Sequence, residues 1–393
     1  MATTAVDIFA SHESFYAPAF QVSIAGQPLQ DGLLRDVMQV TYRDSVEEID
    51  SFELVVNNWD SGARRPQPKY EGALKPSHPG VFDPGQRLEL RMGYMKDLTL
   101  MLTGQITTLE PNFPEASGAT LSVRGLNVLH ELRTEQHSDH WDDWRDSDIA
   151  ADLGRRPLRP GKAGLGIPIL IDPSPDETKE TFVMMHNQYD IVFLMERARR
   201  HGYELVLNEK STTNPVRSLY FGPSRTKLQV PTYKLVWGKS LSSFRPKLST
   251  AQQISEVTVC GWDRKKNEAI AETARWTDIV KSGPEQQRFA LLAQAFDSRK
   301  EIVTDQPVRT KAEAKQKAID ILGRQVREVI TASGATVGLP QLRAGRKVQI
   351  EGLGERYSGT YYVTSTVHTL GDNGYRTQFE ARRDPADQGG GVR

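Results

Sequence analysis

Cysteine is nearly absent. Cys260 stands alone among 393 residues, which rules out a disulfide framework or a thiolate metal cluster within one chain and suits a reducing compartment. Net charge is absent too, with 50 Lys and Arg against 50 Asp and Glu. No overall field exists to attract nucleic acid or an anionic membrane, although local patches remain open. No apolar run approaches the length of a membrane span. Met1 to Ala10 has neither a basic region nor a long apolar core, so it does not read as a secretory signal. The expectation is a protein soluble where it is made. Motifs of catalysis are scarce as well. Gly161-Lys162-Ala163-Gly164-Leu165-Gly166 does not match a phosphate loop and reads as a flexible connection. There is no G-x-S-x-G nucleophile elbow.

What the chain does have is alternation. From Leu342 to Arg382, three runs of β-branched and aromatic residues repeat at period two. Val348 and Ile350 mark the first. Tyr361, Val363, Ser365 and Val367 mark the second, and Tyr375, Thr377 and Phe379 the third. This pattern predicts antiparallel strands with one buried face. Gly371-Asp372-Asn373-Gly374 supplies residues that tolerate the positive φ of a tight hairpin. Similar pieces occur upstream in the same order. Gly85 to Leu90 resembles Gly345 to Ile350, Leu102 to Thr107 resembles Tyr357 to Tyr362, and Gly118 to Arg124 resembles Gly374 to Glu380. Ser51 to Val56 with Trp59 resembles Ser255 to Val259 with Trp262. An ordered self-match of this kind predicts one β unit used twice. Between the copies the character changes. Asp146-Ser147-Asp148 is read as the cap of a short helix ending at Gly154. A helix is predicted from Gln188 to His201, capped by Asn187 with Asp190 in the capping-box position, and closed by Gly202. Thr310 and Glu313 predict a further capped helix reaching about Ile330. The fold class expected is therefore β-rich α+β, two related antiparallel barrels with a mixed α/β domain between them. Asp60 to Pro84 is a long basic, Pro-rich loop of the kind that is either functional or disordered. It is expected to occupy the same place in the first unit as the insertion Asp263 to Pro340 does in the second, and both are expected to touch neighbouring molecules.

Candidate chemistry is thin. His137-Ser138-Asp139-His140-Trp141-Asp142 has the residue types of a divalent-metal site, but its histidines are three apart where a helical zinc site needs four. It is read as a polar loop anchored by Trp141, and His137, Asp139, His140 and Asp142 are expected to be dispensable for bond-breaking chemistry. Trp141 and Trp144, if exposed, would suit a glycan-binding surface. Arg155-Arg156-Pro157-Leu158-Arg159 can meet phosphate or an acidic partner, with a solvated loop as the default. Cys260 alternates with Val257 and Val259 and reads as a structural thiol. No catalytic, cofactor-binding or metal residue is assigned, no cofactor is expected, and the chain is not read as an enzyme.

Two stretches resemble the late control gene D family of phage tail proteins, which includes the hub portion of VgrG. They are Leu235-Val236-Trp237-Gly238-Lys239-Ser240-Leu241 through Phe244-Arg245-Pro246, and Val257 through Asp263. The helix from Gln188 to Gly202-Tyr203 and the closing strands from Gly359 to Arg382 are similar to the same family. The resemblance implies a baseplate hub. Changes of character along the chain and the ordered self-match divide the sequence into a 1–19 N-terminal arm, a 20–127 first hub β-barrel, a 128–231 mixed α/β middle domain, a 232–383 second hub β-barrel with a helical insertion, and a 384–393 disordered tail. The resemblance further implies a homotrimer that joins a hexameric inner tail tube to a trimeric spike and meets baseplate wedge proteins. The spike is expected to be a separate protein, because the chain ends just after the second barrel. No sequence-specific nucleic-acid binding and no membrane insertion by the chain itself are expected. Assembly is expected in the cytoplasm, in a phage tail or a contractile injection particle. The alternatives left open are a cell-wall or glycan-binding module and, less favoured, a metal hydrolase using His137 and His140.

Overall fold

The computed structural model describes residues 5–7, 17–60, 67–70, 80–95, 97–115, 118–174, 177–210, 215–223, 232–249, 254–264, 266–280, 286, 290, 299–305 and 308–383. Most of the expected N-terminal arm, most of Asp60 to Pro84, most of Pro284 to Arg299 and the 384–393 tail lie outside the described residues. The protein is β-rich, with one large, mostly antiparallel sheet and few helices. Among the described residues no helix is long and apolar enough to cross a membrane.

The first half supplies six long strands to the large sheet. They are β1 (Pro18–Ile24), β2 (Val37–Ser45), β3 (Ser51–Asn57), β4 (Arg87–Tyr94), β5 (Asp97–Asn112) and β6 (Thr120–Asn127). Their spatial order is β2-β3-β6-β5-β4-β1, antiparallel throughout. The period-two signal is physical: in β3, Phe52, Leu54 and Val56 are buried while the residues between them are half-buried. All six strands contribute to one core, around Leu54, Leu88, Leu90, Met92 and Val123.

The middle region has its own core of Ile149, Leu153, Ile191, Leu194 and Phe221. It holds β7 (His137–Trp141), α1 (Asp146–Arg155), β8 (Val183–Gln188) and α2 (Asp190–His201). Strand β7 pairs with β8. A small sheet forms from Ile169–Ile171, Glu204–Asn208 and Ser218–Gly222. Helix α2 buries Ile191, Leu194 and Ala198 and ends at Gly202, whose φ of 63° lets its N–H reach back to Ala198 and Arg199. Its start differs from expectation. Asn187 belongs to β8 with a φ of 47°, and neither α1 nor α2 has a side-chain cap. Asp190 and Asp146 are buried inside the fold, bonded to other elements.

The second half consists of β9 (Tyr233–Val236) and β10 (Leu241–Leu248), then an insertion, then four more strands. The insertion contains β11 (Glu256–Asp263), β12 (Glu268–Arg275), β13 (Lys300–Val303) and α3 (Lys311–Arg327). The closing strands are β14 (Ile330–Val337), β15 (Lys347–Glu351), β16 (Gly359–Gly371) and β17 (Gly374–Arg382). Their order is β10-β14-β17-β16-β15-β9. Numbered by place in the chain, this is the order of the first half. One difference remains: β1 is antiparallel to β4, whereas β9 is parallel to β15. No described ladder closes either half upon itself. The free edge of β2 pairs with β16 instead, from Ser45↔Ser365 to Val40↔Leu370.

Two sequence expectations fail here. Strand β11 is not the counterpart of β3. It sits in a separate three-stranded sheet with β12 and β13, under α3, and β14 takes the β3 place. The second-half insertion therefore separates the second and third strands, while the first-half loop separates the third and fourth. The two insertions are not equivalent. The tight turn after β16 also uses only one positive-φ residue, Gly374 at 83°. Helix α3 does follow expectation. Thr310 Oγ1 accepts from Glu313 N at 3.2 Å, and Ala314, Ala318, Leu322 and Val326 are buried. The Glu313 carboxylate, however, accepts from Arg309 N rather than from Thr310 N.

The halves share a packing device. Phe52 of β3 faces Gly125 of β6, and Gly334 of β14 faces Phe379 of β17. In each pair the phenyl ring lies over the glycine, and an added Cβ would come within 2.4 Å of the ring. The donor strand is swapped between halves. Gly125→Val and Gly334→Val are each expected to lower stability by about 1–3 kcal/mol through overpacking. Gly323→Ala is a contrasting case inside α3, where nothing lies closer than 4.0 Å; it should raise stability by up to about 1 kcal/mol. Denaturant midpoints of the three variants test this.

Candidate functional site

The seam between the halves contains a dense, mostly buried polar cluster. The loop between β14 and β15 is fixed by Leu339 and Leu342, both fully buried. Arg343 follows. Its Nε donates to Asp44 Oδ2 at 2.6 Å, and its Nη2 donates to the Tyr42 hydroxyl and, at 2.9 Å, to the Met101 carbonyl. The guanidinium also lies 4.5 Å over the Tyr42 ring. Asp44, on β2, accepts in addition from the Ala344 backbone N–H and the Thr366 hydroxyl. A carboxylate of the first half is thus satisfied almost wholly by the second. Burial works against the Arg343 charge, but Tyr42, Asp44 and Asp50 outweigh it and raise its pKa. Burial, then the Asp44 charge, pushes Asp50 up to about 7, although Asn127 Nδ2 donates to it at 3.0 Å. His368, paired across the seam with Tyr42, is fully buried. Its Nε2 lies 3.0 Å from the Leu342 carbonyl, which can only accept and so assigns the proton to Nε2. Burial lowers its pKa to about 4, with Asp44 raising and Arg343 lowering it further, so it is neutral at pH 7. This is a largely buried cluster that ties the two halves together. Arg343→Met is expected to cost about 3–5 kcal/mol by stranding the buried Asp44 charge, read as a shift in denaturant midpoint.

A second cluster joins the middle region to the insertion. Arg197 and His201 lie one turn apart on α2. Arg197 Nε meets Asp146 Oδ1 at 2.5 Å and its Nη2 meets Glu180 Oε1 at 2.7 Å. His201 Nε2 meets Asp146 Oδ2 at 2.7 Å, and its Nδ1 meets Asp320 Oδ2, on α3, at 3.3 Å. Asp146, Glu180 and His201 present ligand atoms within 4.8 Å of one another, the spacing of a metal site. The donor set does not fit one. The Arg197 guanidinium already occupies both carboxylates, and His201 uses both ring nitrogens as donors, whereas a ligating imidazole must be neutral. Burial lowers the His201 pKa, but hydrogen bonds to Asp146 and Asp320 prevail and raise it to about 10. A raised histidine stabilises the fold fully below its unfolded pKa of about 6.5 and loses that contribution as pH climbs towards 10. Thermal stability should accordingly fall between pH 6.5 and 10, and His201→Gln should flatten that slope. Melting curves across the range provide the test.

The structure separates the residues singled out from sequence. His137 is buried and bonds Asp190 through Nδ1 at 2.9 Å. His140 is exposed beside Phe182, with ring centroids 6.1 Å apart. Asp139 receives the Arg156 guanidinium, and Asp142 is exposed. Histidine spacing in a strand explains why: positions three apart face opposite sides. Trp141 is not an exposed platform. It is 4% exposed, stacks on Phe193 and donates its indole N–H to Asp152. Cys260 is a half-buried free thiol. The two ionic clusters carried no local signal, apart from the four-residue spacing of Arg197 and His201, because their members lie far apart in the chain.

The fold is one seen in phage tail proteins. A 43 kDa tail protein of prophage MuSo2 from Shewanella oneidensis matches with a TM-score of 0.65 at 16% identity, over 94% of this chain and 99% of that one. A tail protein from Neisseria meningitidis matches at 0.64 and 14% identity, over 95% and 99%. An E. coli component of the type VI secretion system matches at 0.55 and 11%, over 92% and 76%. A family model described as the Alg8 N-terminal domain matches residues 16–372, and the chain belongs to that family. No curated protein matches the chain.

Proposed function

We propose that this chain is the structural baseplate hub of a phage tail or tail-like contractile injection particle, of the late control gene D kind. It acts as a scaffold and not as an enzyme. Residues 20–127 and 232–383 form two related β units that complete their barrels in the assembly, with 128–231 as a middle domain, 1–19 as an arm and 384–393 as a tail. Three copies bring six such units to a hexameric inner tube. The same trimer offers threefold symmetry to a spike, and its periphery meets baseplate wedge proteins. Assembly takes place in the cytoplasm of the producing cell. The observation that carries this reading is the shared strand order of the two halves, laid side by side in one continuous sheet. The E. coli neighbour is described as similar to bacteriophage T4 tail proteins, which is consistent with it.

The edges indicate how copies would meet. Strand β10 lies at one end of the sheet and carries Arg245-Pro246-Lys247. Proline and flanking charges blunt an edge against strand addition. Subunits would then join there through side chains and not through an extended ladder. In the insertion, the sheet face turned away from α3 leaves Trp262 and Ile302 exposed, at 50% and 68%. We expect this face to lie against a neighbouring chain, and not against the tube. Reconstruction of the native particle by electron microscopy should find three copies at the junction of tube and spike. One copy or six would overturn the hub reading.

A further inference from the structure

One cavity has no part in the hub reading. It opens between β7, the end of α1 and the connection that follows, with a volume of about 440 Å³, and His137, Asp139, Arg156, Arg159 and Lys162 line it. Two features show that it is built and not accidental. The first is His137, which is 8% exposed. Asp190 Oδ1 holds its Nδ1 at 2.9 Å, and the other Asp190 oxygen accepts from Gly164 N at 2.6 Å, so the ring is fixed. Its Nε2 is buried without a hydrogen-bond partner. The nearest acidic atom, Glu135 Oε2, is 3.8 Å away and already accepts from Gly161 N at 2.9 Å. A buried nitrogen left unpaired at a cavity wall calls for an explanation, and a bound group supplies one.

The second feature is a turn. Arg159-Pro160-Gly161-Lys162 closes through a Lys162 N to Arg159 O contact of 3.4 Å, with Gly161 at a φ of 69°. Proline followed by a positive-φ glycine is the chemistry of a type II turn. It presents Arg159 and Lys162 side by side from a stiff frame. Arg156 is already committed to Asp139 and to Asp152 at 2.6 Å, over the Trp141 ring. Among the described residues, Arg159 and Lys162 have no ion-pair partner.

We infer that this cavity binds a carboxylate group. Arg159 and Lys162 supply the charge, and His137, its ring fixed by Asp190, presents Nε2 at the cavity wall to orient the bound group. Asp139, Glu135 and Arg156 complete the charges facing it. The carboxylate comes either from a free polycarboxylate or from an acidic side chain of a partner protein. The inference does not depend on the hub reading.

Citrate and a hexaglutamate peptide serve as probes on the full chain, at constant ionic strength because surface charges are screened. Titration calorimetry should give a dissociation constant of about 1 mM or tighter for at least one of them. In histidine-selective ¹⁵N spectra, the His137 Nε2 resonance should move with the same midpoint. Arg159→Ser with Lys162→Ser alters only exposed side chains, and should weaken binding at least tenfold while leaving the melting temperature unchanged. Tighter binding of citrate points to a free anion, and tighter binding of the peptide to a partner side chain; either supports the site. No movement of the His137 resonance with either probe overturns it, as does equal affinity in the double variant.

Discussion

Asp44 is a buried carboxylate whose ion-pair partner, Arg343, lies 299 residues away. The rest of the architecture depends on bringing Arg343 to it. Without that pairing, a charge on β2 would be stranded in the apolar space between two cores, at several kcal/mol. With it, the loop after β14 is pinned and β15 starts at a fixed point. Along one edge, strand β16 can then serve two partners, β15 through its first residues and β2 through its last, while its other edge pairs with β17. The bulge between Val363 and Ser365 marks the change of partner. A buried ion pair of this kind adds little net stability over an apolar replacement. Its geometry ties the β14–β15 loop to β2 and the Met101 carbonyl through directional bonds.

The middle region acts as a clamp across that seam. Glu204 accepts from Arg382 at 2.6 Å and from the Tyr362 hydroxyl, both in the second half. Glu209 accepts from the Thr103 backbone N–H in the first half at 2.9 Å. Arg199 reaches the Glu47 carbonyl at the tip of the β2–β3 hairpin. His201 reaches Asp320 in the insertion. Each contact is a charged group meeting a polar partner, so each is directional, and together they hold four parts of the chain at set distances. An apolar interface of the same size would tolerate sliding, which directional bonds resist.

What was legible in the sequence was local. Period-two runs announced β3, β15, β16 and β17, because one buried face forces alternation. Gly202 and Thr310 marked helix boundaries, because a left-handed residue and a side-chain cap act within a few residues. What was illegible was long-range. β11 and β14 are both β-branched runs, and nothing in either says which one pairs beside β17; the pairing is set by packing. Asp190 looked like a cap because caps and buried acids use the same residue, and only the position of His137 and Gly164 in space distinguishes them. Trp141 reads from sequence as the anchor of a polar loop, but the sequence does not say what it anchors against. The stack on Phe193 that buries it comes from a residue 52 positions later.

The correction to β11 bears on how the two halves diverged in use. Their strand order is the same, yet their long insertions leave from different connections, and β9 runs opposite to the sense of β1. A β unit tolerates extra chain wherever a connection reaches the surface, since lengthening a loop adds only slowly to its closure entropy. It does not tolerate a change of strand order, because each buried face would lose its match. The swapped phenylalanine and glycine of β3–β6 and β14–β17 obey the same logic. The space between those strands holds one ring, and either strand can provide it, provided the other carries glycine. Equivalence between the halves therefore resides in the ladder and in the volume it encloses. Their insertions and the identity of the packing residue are free to differ, which is the freedom an assembly needs if two similar units must meet unlike neighbours.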